Sequence, residues 1–285
     1  MNEPERLREL IKTEFHRLTQ YLDTLPAEAW SKPSACDAWT VGDVVGHLVF
    51  VAEFYSDVIS RGVQGDISVS PFFKTIDLED RSALAKILEV TAIERREALG
   101  EQLLPSLVSQ WDQFERLLDN LKVEDWEKPC WRWSQPTPVR QHLVLAVQEL
   151  AIHGWDIRFN LEDSPSLSED LLPMLVDRAI RRFRVVTELS DSLRVSESAG
   201  PVRYQFDITG TVPGKHDMVI EGDLAQMQPI GTENPDVIFR CDTVTFVLMM
   251  YQRLTAASAT AAGNMTAEGD ENLITDFNNR RFQRG

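Results

Sequence analysis

The sequence predicts an α plus α+β protein, in which a four-helix bundle precedes a small domain of mixed strands and helices. Three observations predict this fold class. Apolar residues recur with a helical period over roughly the first 160 residues. A twelve-residue segment occurs twice within that region. From Val202 onward the apolar period becomes two, which is typical of strands.

Length, composition and charge limit the classes of function. The chain has 285 residues, of which 43 % are apolar and 26 % charged, ordinary values for a globular protein with room for two domains. No segment approaches the ~20 uncharged apolar residues of a membrane span. The acidic start, MNEPERLREL, lacks the order of a signal peptide, so we expect a cytoplasmic protein without a membrane partner. The net charge of −16 argues against a nucleic-acid partner, because phosphate backbones require clustered cations.

Five helices are predicted in the first part of the chain from apolar periodicity and capping signals. Thr40, with Asp43 three residues later, resembles a capping box at the start of the second helix. Thr137 followed by Pro138 predicts an N-cap and then a proline at the first helical position of the last helix. The predicted spans are about 7–22, 40–60, 82–99, 104–121 and 137–159.

The internal repeat predicts approximate symmetry within the bundle. LDTLPAEAWSKP at 22–33 matches LDNLKVEDWEKP at 118–129, with Leu, Asp, Leu, Glu, Trp, Lys and Pro at identical spacing. Each copy ends one helix, passes through a loop with Trp and Cys, and leads into a helix with a Thr at its start. Two such helical hairpins form a four-helix bundle.

The remainder of the chain predicts a second domain. NLEDSPSLSED is a polar break, which one more helix follows over about 169–188. Strands are predicted at 202–208, 218–220, 237–239 and 265–268, and helices at about 243–257 and 270–281. The expected division is 1–165 for the bundle, 166–196 for a connecting helix and linker, and 197–285 for the α+β domain.

Three polar residues stand out in apolar helices. Glu149 and His153, spaced i, i+4 in LVLAVQELAIHGWDIRF, project from one helix face. His47 lies in another apolar run. Taken alone, each is more often a satisfied polar group of the core, because a buried carboxylate must be paired, hydrogen-bonded or bound to a metal. Taken together, two imidazoles and one carboxylate from facing helices are a suitable set for a divalent ion with an open fourth position.

These segments resemble those of a known family. CDAWTVGDVVGHL at 36–48 and ELAIHGWDI at 149–157 are similar to segments of the DinB-like mycothiol-dependent maleylpyruvate isomerase superfamily. DVIFRCDTVTFVLMMYQRL and NMTAEGD resemble the sterol-carrier-like domain that accompanies it. The resemblance implies a DinB-like metal-binding bundle over 1–165 and a sterol-carrier-like domain over 197–285. It also implies a divalent metal, usually zinc, bound by His47, Glu149 and His153.

The resemblance further implies an enzyme with a small-molecule substrate and a low-molecular-weight thiol, such as mycothiol, as cosubstrate. In the isomerases a thiolate adds to a cis-enoyl acid, permits rotation about the former double bond and leaves; in relatives it is transferred to an electrophile. Arg253 resembles an arginine that would hold a carboxylate, although Gln252 replaces the usual glycine before it. Asp156 is a candidate for orienting a metal ligand, with capping or salt bridging as the alternative. The oligomeric state is expected to be a monomer or a homodimer.

Two alternatives to the enzyme remain open at this stage. One is a non-catalytic metal-containing protein whose C-terminal domain binds an apolar ligand, and the other is a stress-induced protein without catalysis. A structural metal would need a fourth ligand, for which the sequence offers only Cys36 or Asp43. The three cysteines are expected to be reduced thiols that pack as small residues. His142, 7 residues before Glu149, is too far away to bind the same ion; a surface or capping role is expected for it, with a position at the mouth of the cavity as the alternative.

Overall fold

Helices dominate the first of two compact units, residues 1–168, and helices with a sheet form the second, residues 169–285. The computed structural model describes residues 3–74, 81–133, 135–182, 187–188, 200–221 and 224–279. The predicted fold class is therefore confirmed. The helices of the first unit are α1 (Glu3–Asp23), α2 (Val41–Val63), α3 (Arg81–Leu99), α4 (Leu103–Asp119) and α5 (Val139–Arg158).

Four of these helices form the bundle. α1 contacts α4 and α5, and α2 contacts the same two helices from the other side. Trp111 of α4 stacks on Phe15 of α1 at 5.4 Å and donates its indole N–H to the Leu48 carbonyl of α2 at 3.1 Å. α2 is apolar on nearly all faces because α3, α4 and α5 each cover part of it. No helix among the described residues combines the length and the hydropathy needed to cross a membrane.

The predicted extra helix, α3, crosses α2 at two glycines. A Cβ atom at Gly46 would lie 2.6 Å from the Ala92 carbonyl oxygen, and one at Gly42 would lie 2.9 Å from the Arg96 side chain. The absence of side chains at these positions allows the two backbones to approach closely. Arg96 then pairs with Asp43 at 2.5 Å, so α3 is fastened to the first turn of α2.

The repeat produces the same backbone arrangement twice. The N–H of Val41 donates to the Lys32 carbonyl at 2.9 Å, and the N–H of Val139 donates to the Lys128 carbonyl at 3.1 Å. Each of these valines is the first residue of its helix, α2 or α5. In the first copy, Pro33 and Thr40 form an isolated antiparallel β-bridge just before α2. In the second copy, two short strands, β1 (Pro129–Cys130) and β2 (Thr137–Pro138), pair just before α5.

One predicted helix start is confirmed and the other is wrong. Thr40 and Asp43 form a capping box at the start of α2. The N-cap of α5 is Pro138, not Thr137, and the Thr137 hydroxyl lies 3.0 Å from Nε2 of His142 instead of capping the helix.

The second unit contains a six-stranded sheet with helices. Its elements are α6 (Leu172–Arg182), β3 (Thr187–Glu188), β4 (Val202–Thr209), β5 (Gly214–Glu221), β6 (Leu224–Pro229), β7 (Val237–Asp242), α7 (Thr243–Met250), α8 (Ala256–Ala261), β8 (Met265–Gly269) and α9 (Glu271–Asn279). The strand order is β3-β6-β5-β4-β7-β8, in which only β4 and β7 are parallel. This places β5 and β4 at the centre of the sheet.

Three predictions for the second unit differ from the structure. Of the helix predicted over 169–188, the described residues form α6 (Leu172–Arg182), residues 183–186 lie outside the described residues, and Thr187–Glu188 pairs with β6 instead of being helical. The helix predicted over 243–257 is two helices, because Gln252 adopts φ 60°, a left-handed conformation that ends a helix. Strand β6 was not predicted, since LAQMQP has little β-branched or aromatic character. Residues 280–281 of the last predicted helix lie outside the described residues.

Candidate metal centre

Helices α2 and α5 bring His47, Glu149 and His153 together. Nε2 of His47 lies 3.3 Å from Oε2 of Glu149, and Nε2 of His153 lies 3.2 Å from the same oxygen. The three ligand atoms all lie within 4.8 Å of one another. His47 and Glu149 are 102 positions apart in the sequence, so the bundle creates this cluster.

The donor set fits a divalent metal ion. Tetrahedral zinc with bonds of about 2.0–2.1 Å keeps its nitrogen and oxygen donors about 3.3 Å apart, which matches both distances to Glu149. Two imidazole nitrogens that face one carboxylate oxygen also need a proton or a cation between them, since lone pairs otherwise oppose one another. His47, Glu149 and His153 are therefore the residues that would hold such an ion.

Asp156 lies directly beside the imidazole of His153. Its Oδ2 lies 2.9 Å from Nδ1 of His153, and the carboxylate is fully buried. The Nδ1–H group donates to Asp156, which leaves Nε2 to face Glu149. This carboxylate–histidine arrangement is the usual support of a metal-binding imidazole. By contrast, Nδ1 of His47 has no hydrogen-bond partner among the described residues.

Burial and hydrogen bonds shift the pKa values of the three residues in different directions. Burial lowers the pKa of His47, although its contact with Glu149 opposes this. For His153, burial again acts to lower the pKa, but hydrogen bonds with Asp156, Cys36 and Glu149 outweigh it and raise the pKa well above 6.5. Burial acts to raise the pKa of Glu149, yet hydrogen bonds from His153 and His47 hold that pKa well below its usual range.

Aromatic side chains border the cluster. The Trp39 ring lies 5.0 Å from the His47 ring and 6.0 Å from the His153 ring, and its indole N–H donates to the Glu89 carbonyl of α3 at 3.3 Å. Phe50, one turn after His47 on α2, lies 6.4 Å from the His47 ring. These rings lower the local polarity around the candidate ligands and limit the access of water to them.

Neither residue considered as a fourth ligand joins the set. Cys36 lies on the Nδ1 side of His153, with Sγ 3.2 Å from Oδ2 of Asp156 and 4.0 Å from that nitrogen. Asp43 is engaged by the capping box and by Arg96. Within the part of the chain that the structure describes, no fourth His, Cys, Asp or Glu groups with the three candidate ligands.

Other predicted positions lie elsewhere. His142 is buried and contacts Thr137 and the edge of the Tyr55 ring, so the expected surface role is wrong. Arg253 belongs to the second unit, follows α7 and donates to the Tyr251 carbonyl at 3.0 Å. The three cysteines are buried thiols outside disulfides, as expected, and Cys36 additionally contacts Asp156, which the sequence does not predict. The signal that could have indicated it is the position of Cys36 in the same segment as His47.

The fold and the donor set are those of a helical bundle with a candidate divalent-metal centre. The family described as "Mycothiol maleylpyruvate isomerase N-terminal domain" matches residues 11–158. The chain belongs to this family. There is no significant match among curated proteins.

Two solved structures share the fold over nearly the whole chain. A crystal structure of the mycothiol-dependent maleylpyruvate isomerase matches with a TM-score of 0.63 at 13 % identity, covering 94 % of this chain and 93 % of that one. A variant of that isomerase matches with the same TM-score and coverage at 11 % identity. A UbiJ-SCP2 ubiquinone synthesis protein matches 37 % of this chain and 90 % of its own, at 12 % identity and a TM-score of 0.29.

Proposed function

We propose that the protein is a divalent-metal-dependent enzyme, an isomerase or thiol S-transferase. It would activate a small thiol, or water, for transfer to a small electrophilic organic acid or for its cis–trans isomerisation. The metal would be zinc, and the thiol would be mycothiol or a similar small thiol. Family membership supports the general class, and the solved isomerase with the same fold is named for its dependence on mycothiol.

One observation carries this proposal. Two imidazole nitrogens converge on one carboxylate oxygen at 3.3 and 3.2 Å, and no fourth protein ligand groups with them among the described residues. Structural zinc sites are usually closed by four protein ligands, whereas catalytic sites keep one position for water or substrate. A three-ligand set therefore favours a catalytic centre over a structural one.

Each residue has a defined task in this proposal. A divalent cation at the site supplies Lewis acidity, which lowers the pKa of a bound thiol or water. Glu149 offsets part of the positive charge, while Asp156 keeps the proton on Nδ1 of His153 and so presents Nε2 as a ligand. Trp39 covers both imidazoles and excludes water from that side. Arg253 would hold a carboxylate of the substrate or thiol.

The core of the second unit argues against the alternative of an apolar ligand carrier. Five rings occupy its interior, with neighbouring centroids 4.8–6.1 Å apart, and all of them are buried: Tyr204, Phe206, Phe239, Phe246 and Phe277. Rings at these separations are in direct contact. The space between these five rings is filled by the protein itself, which favours a function centred on the bundle over an apolar ligand held among them.

Metal content tests the proposal first. Protein purified without a metal-affinity tag should contain close to one equivalent of a divalent metal by mass spectrometry, and His47→Ala should lose it. His16→Ala, which changes an exposed histidine of α1, is the matched control and should retain the metal. Metal-free wild-type protein that is folded and binds no added zinc would refute the proposal.

Activity measurements then test the proposed reaction. Metal-loaded protein should consume a small thiol with a cis-enoyl acid such as maleylpyruvate, or isomerise that acid in the presence of the thiol. Arg253→Lys should then raise KM for the acid while leaving metal content unchanged, because a lysine cannot reproduce a bidentate contact. An unchanged KM would contradict a substrate-binding role for Arg253.

A further inference from the structure

We infer that Cys36 is a positioning residue of the metal centre: its thiol, acting through Asp156, holds His153 in the metal-binding orientation and joins the Trp39 loop to helix α5. This inference rests on the proposed function, because it concerns a metal held by His153. It assigns the thiol a task outside the ligand set. The chain of contacts runs from Glu149 to His153, then to Asp156 and finally to Cys36.

Asp156 is the shared acceptor of this chain. Its Oδ2 lies 2.9 Å from Nδ1 of His153 and 3.2 Å from Sγ of Cys36. The carboxylate is fully buried and Cys36 is only 5 % exposed, so the surrounding protein must supply the donors that this anion requires. The thiol is one of those donors. Without it, Asp156 would lose a partner that fixes the direction of its carboxylate towards His153.

The loop that carries Cys36 also carries Trp39. The N–H of Ala35 donates to the Asp156 carbonyl at 3.1 Å, so the loop contacts Asp156 through its backbone as well as through the thiol. Within the loop, the Ser34 hydroxyl donates to the Trp39 carbonyl at 2.8 Å, and the N–H of Trp39 donates to the Cys36 carbonyl at 2.8 Å. The Trp39 ring in turn borders both imidazoles. The Cys36 thiol therefore connects Asp156, which contacts the candidate ligand His153, to the loop that places Trp39 beside both imidazoles.

Two other tasks for Cys36 are less compatible with the geometry. A fourth ligand would have to face Nε2 of His153, yet Sγ lies 4.0 Å from Nδ1, on the other side of the ring. Cys36, His153 and Asp156 also form a compact group whose ligand atoms lie within 4.8 Å of one another. A second ion there would require His153 to lose its Nδ1 proton and bridge two metals. Hydrogen bonds from His153 and Cys36 to Asp156 already explain why the three side chains lie close together.

The test compares three variants by metal affinity in the full-length protein. Zinc and Co(II) are titrated against a chelator of known affinity, and the visible and near-ultraviolet absorption of the Co(II) form is recorded. Cys36→Ala should weaken metal binding by about 10- to 100-fold, the usual effect of losing such a support. Cys36→Ser keeps a hydroxyl donor and should bind within about threefold of wild type. Cys130→Ala removes another buried thiol of the same unit, one that does not contact the candidate ligands, and should bind as wild type does.

The outcomes separate this inference from the proposed function. Absence of metal binding by the wild type overturns both. Equal affinity of wild type and Cys36→Ala overturns the positioning task alone, and so does a Cys36→Ser variant as weak as Cys36→Ala. A thiolate-to-cobalt charge-transfer band in the wild type, lost in Cys36→Ala, would make Cys36 a ligand. Two equivalents of metal in wild type and one in Cys36→Ala would make it part of a second metal site. Either result overturns the inference.

Discussion

Replacement of His142 by glutamine should make the protein less sensitive to acid. His142 is 1 % exposed and lies beside the edge of Tyr55, with its Nε2 3.0 Å from the Thr137 hydroxyl. Burial, together with the charge of Arg132, lowers its pKa from 6.5 to about 4. The unfolded chain therefore binds a proton between these pH values that the folded chain excludes.

The sign and size of the effect follow from this difference in pKa. The cost of keeping His142 neutral is absent above pH 6.5 and grows as the pH falls to about 4. At about 1.4 kcal/mol for each pH unit, the free energy of unfolding should fall by about 3 kcal/mol through this residue alone. His142→Gln retains a polar group near the position of Nε2 but does not titrate, so it should lack that loss.

Denaturant unfolding at several pH values measures the effect. All seven tryptophans lie between Trp30 and Trp155, so their fluorescence follows the first unit. A chelator keeps metal binding out of the comparison. The difference in unfolding free energy between wild type and His142→Gln should be constant above pH 6.5 and change by about 3 kcal/mol by pH 4. Thr137→Val removes the hydroxyl beside Nε2 of His142 and should lower stability by about 1 kcal/mol above pH 6.5. Parallel curves for wild type and His142→Gln would refute the reasoning.

Three further substitutions, one of them with a matched control, test the packing and the backbone. Gly46→Ala should lower the free energy of unfolding by about 1–3 kcal/mol, because its Cβ would lie 2.6 Å from the Ala92 carbonyl oxygen. The control, Gly154→Ala, should be neutral or stabilising, because its Cβ meets nothing closer than 4.0 Å. Equal losses of stability for the two variants in tryptophan-monitored unfolding would contradict this reasoning. Thr40→Ala should cost about 1 kcal/mol in the same assay, since it removes the cap of α2, and no loss would mean that the cap is dispensable. Gln252→Gly should stabilise the second unit by about 0.5–1 kcal/mol, because glycine adopts φ 60° without strain. Unfolding followed by circular dichroism in the β-sheet region measures this change. A lower unfolding midpoint than that of the wild type would show that the Gln252 side chain is needed.

Local signals predicted most of the helices. The Thr40–Asp43 capping box and the apolar stripes gave helix spans that differ from the observed ones by a few residues. The same kind of signal was misleading at Thr137, because its hydroxyl lies beside Nε2 of His142 instead of capping the helix. The helix predicted over 243–257 is longer than α7, which ends at Met250. Its apolar sequence continues through Gln252, where the backbone turns into a left-handed conformation that the sequence does not mark.

The sequence by itself determined the class of each unit, the three candidate ligands and the family resemblance, because periodicity, capping and the polarity of residues in apolar helices are local properties. The tertiary structure decided what surrounds the ligands. Asp156 lies beside His153 within one helix, but Cys36 reaches Asp156 across 120 positions of sequence, and α3 reaches α2 across a pair of glycines. Such contacts depend on how helices and loops pack against one another, and no short stretch of sequence specifies that packing.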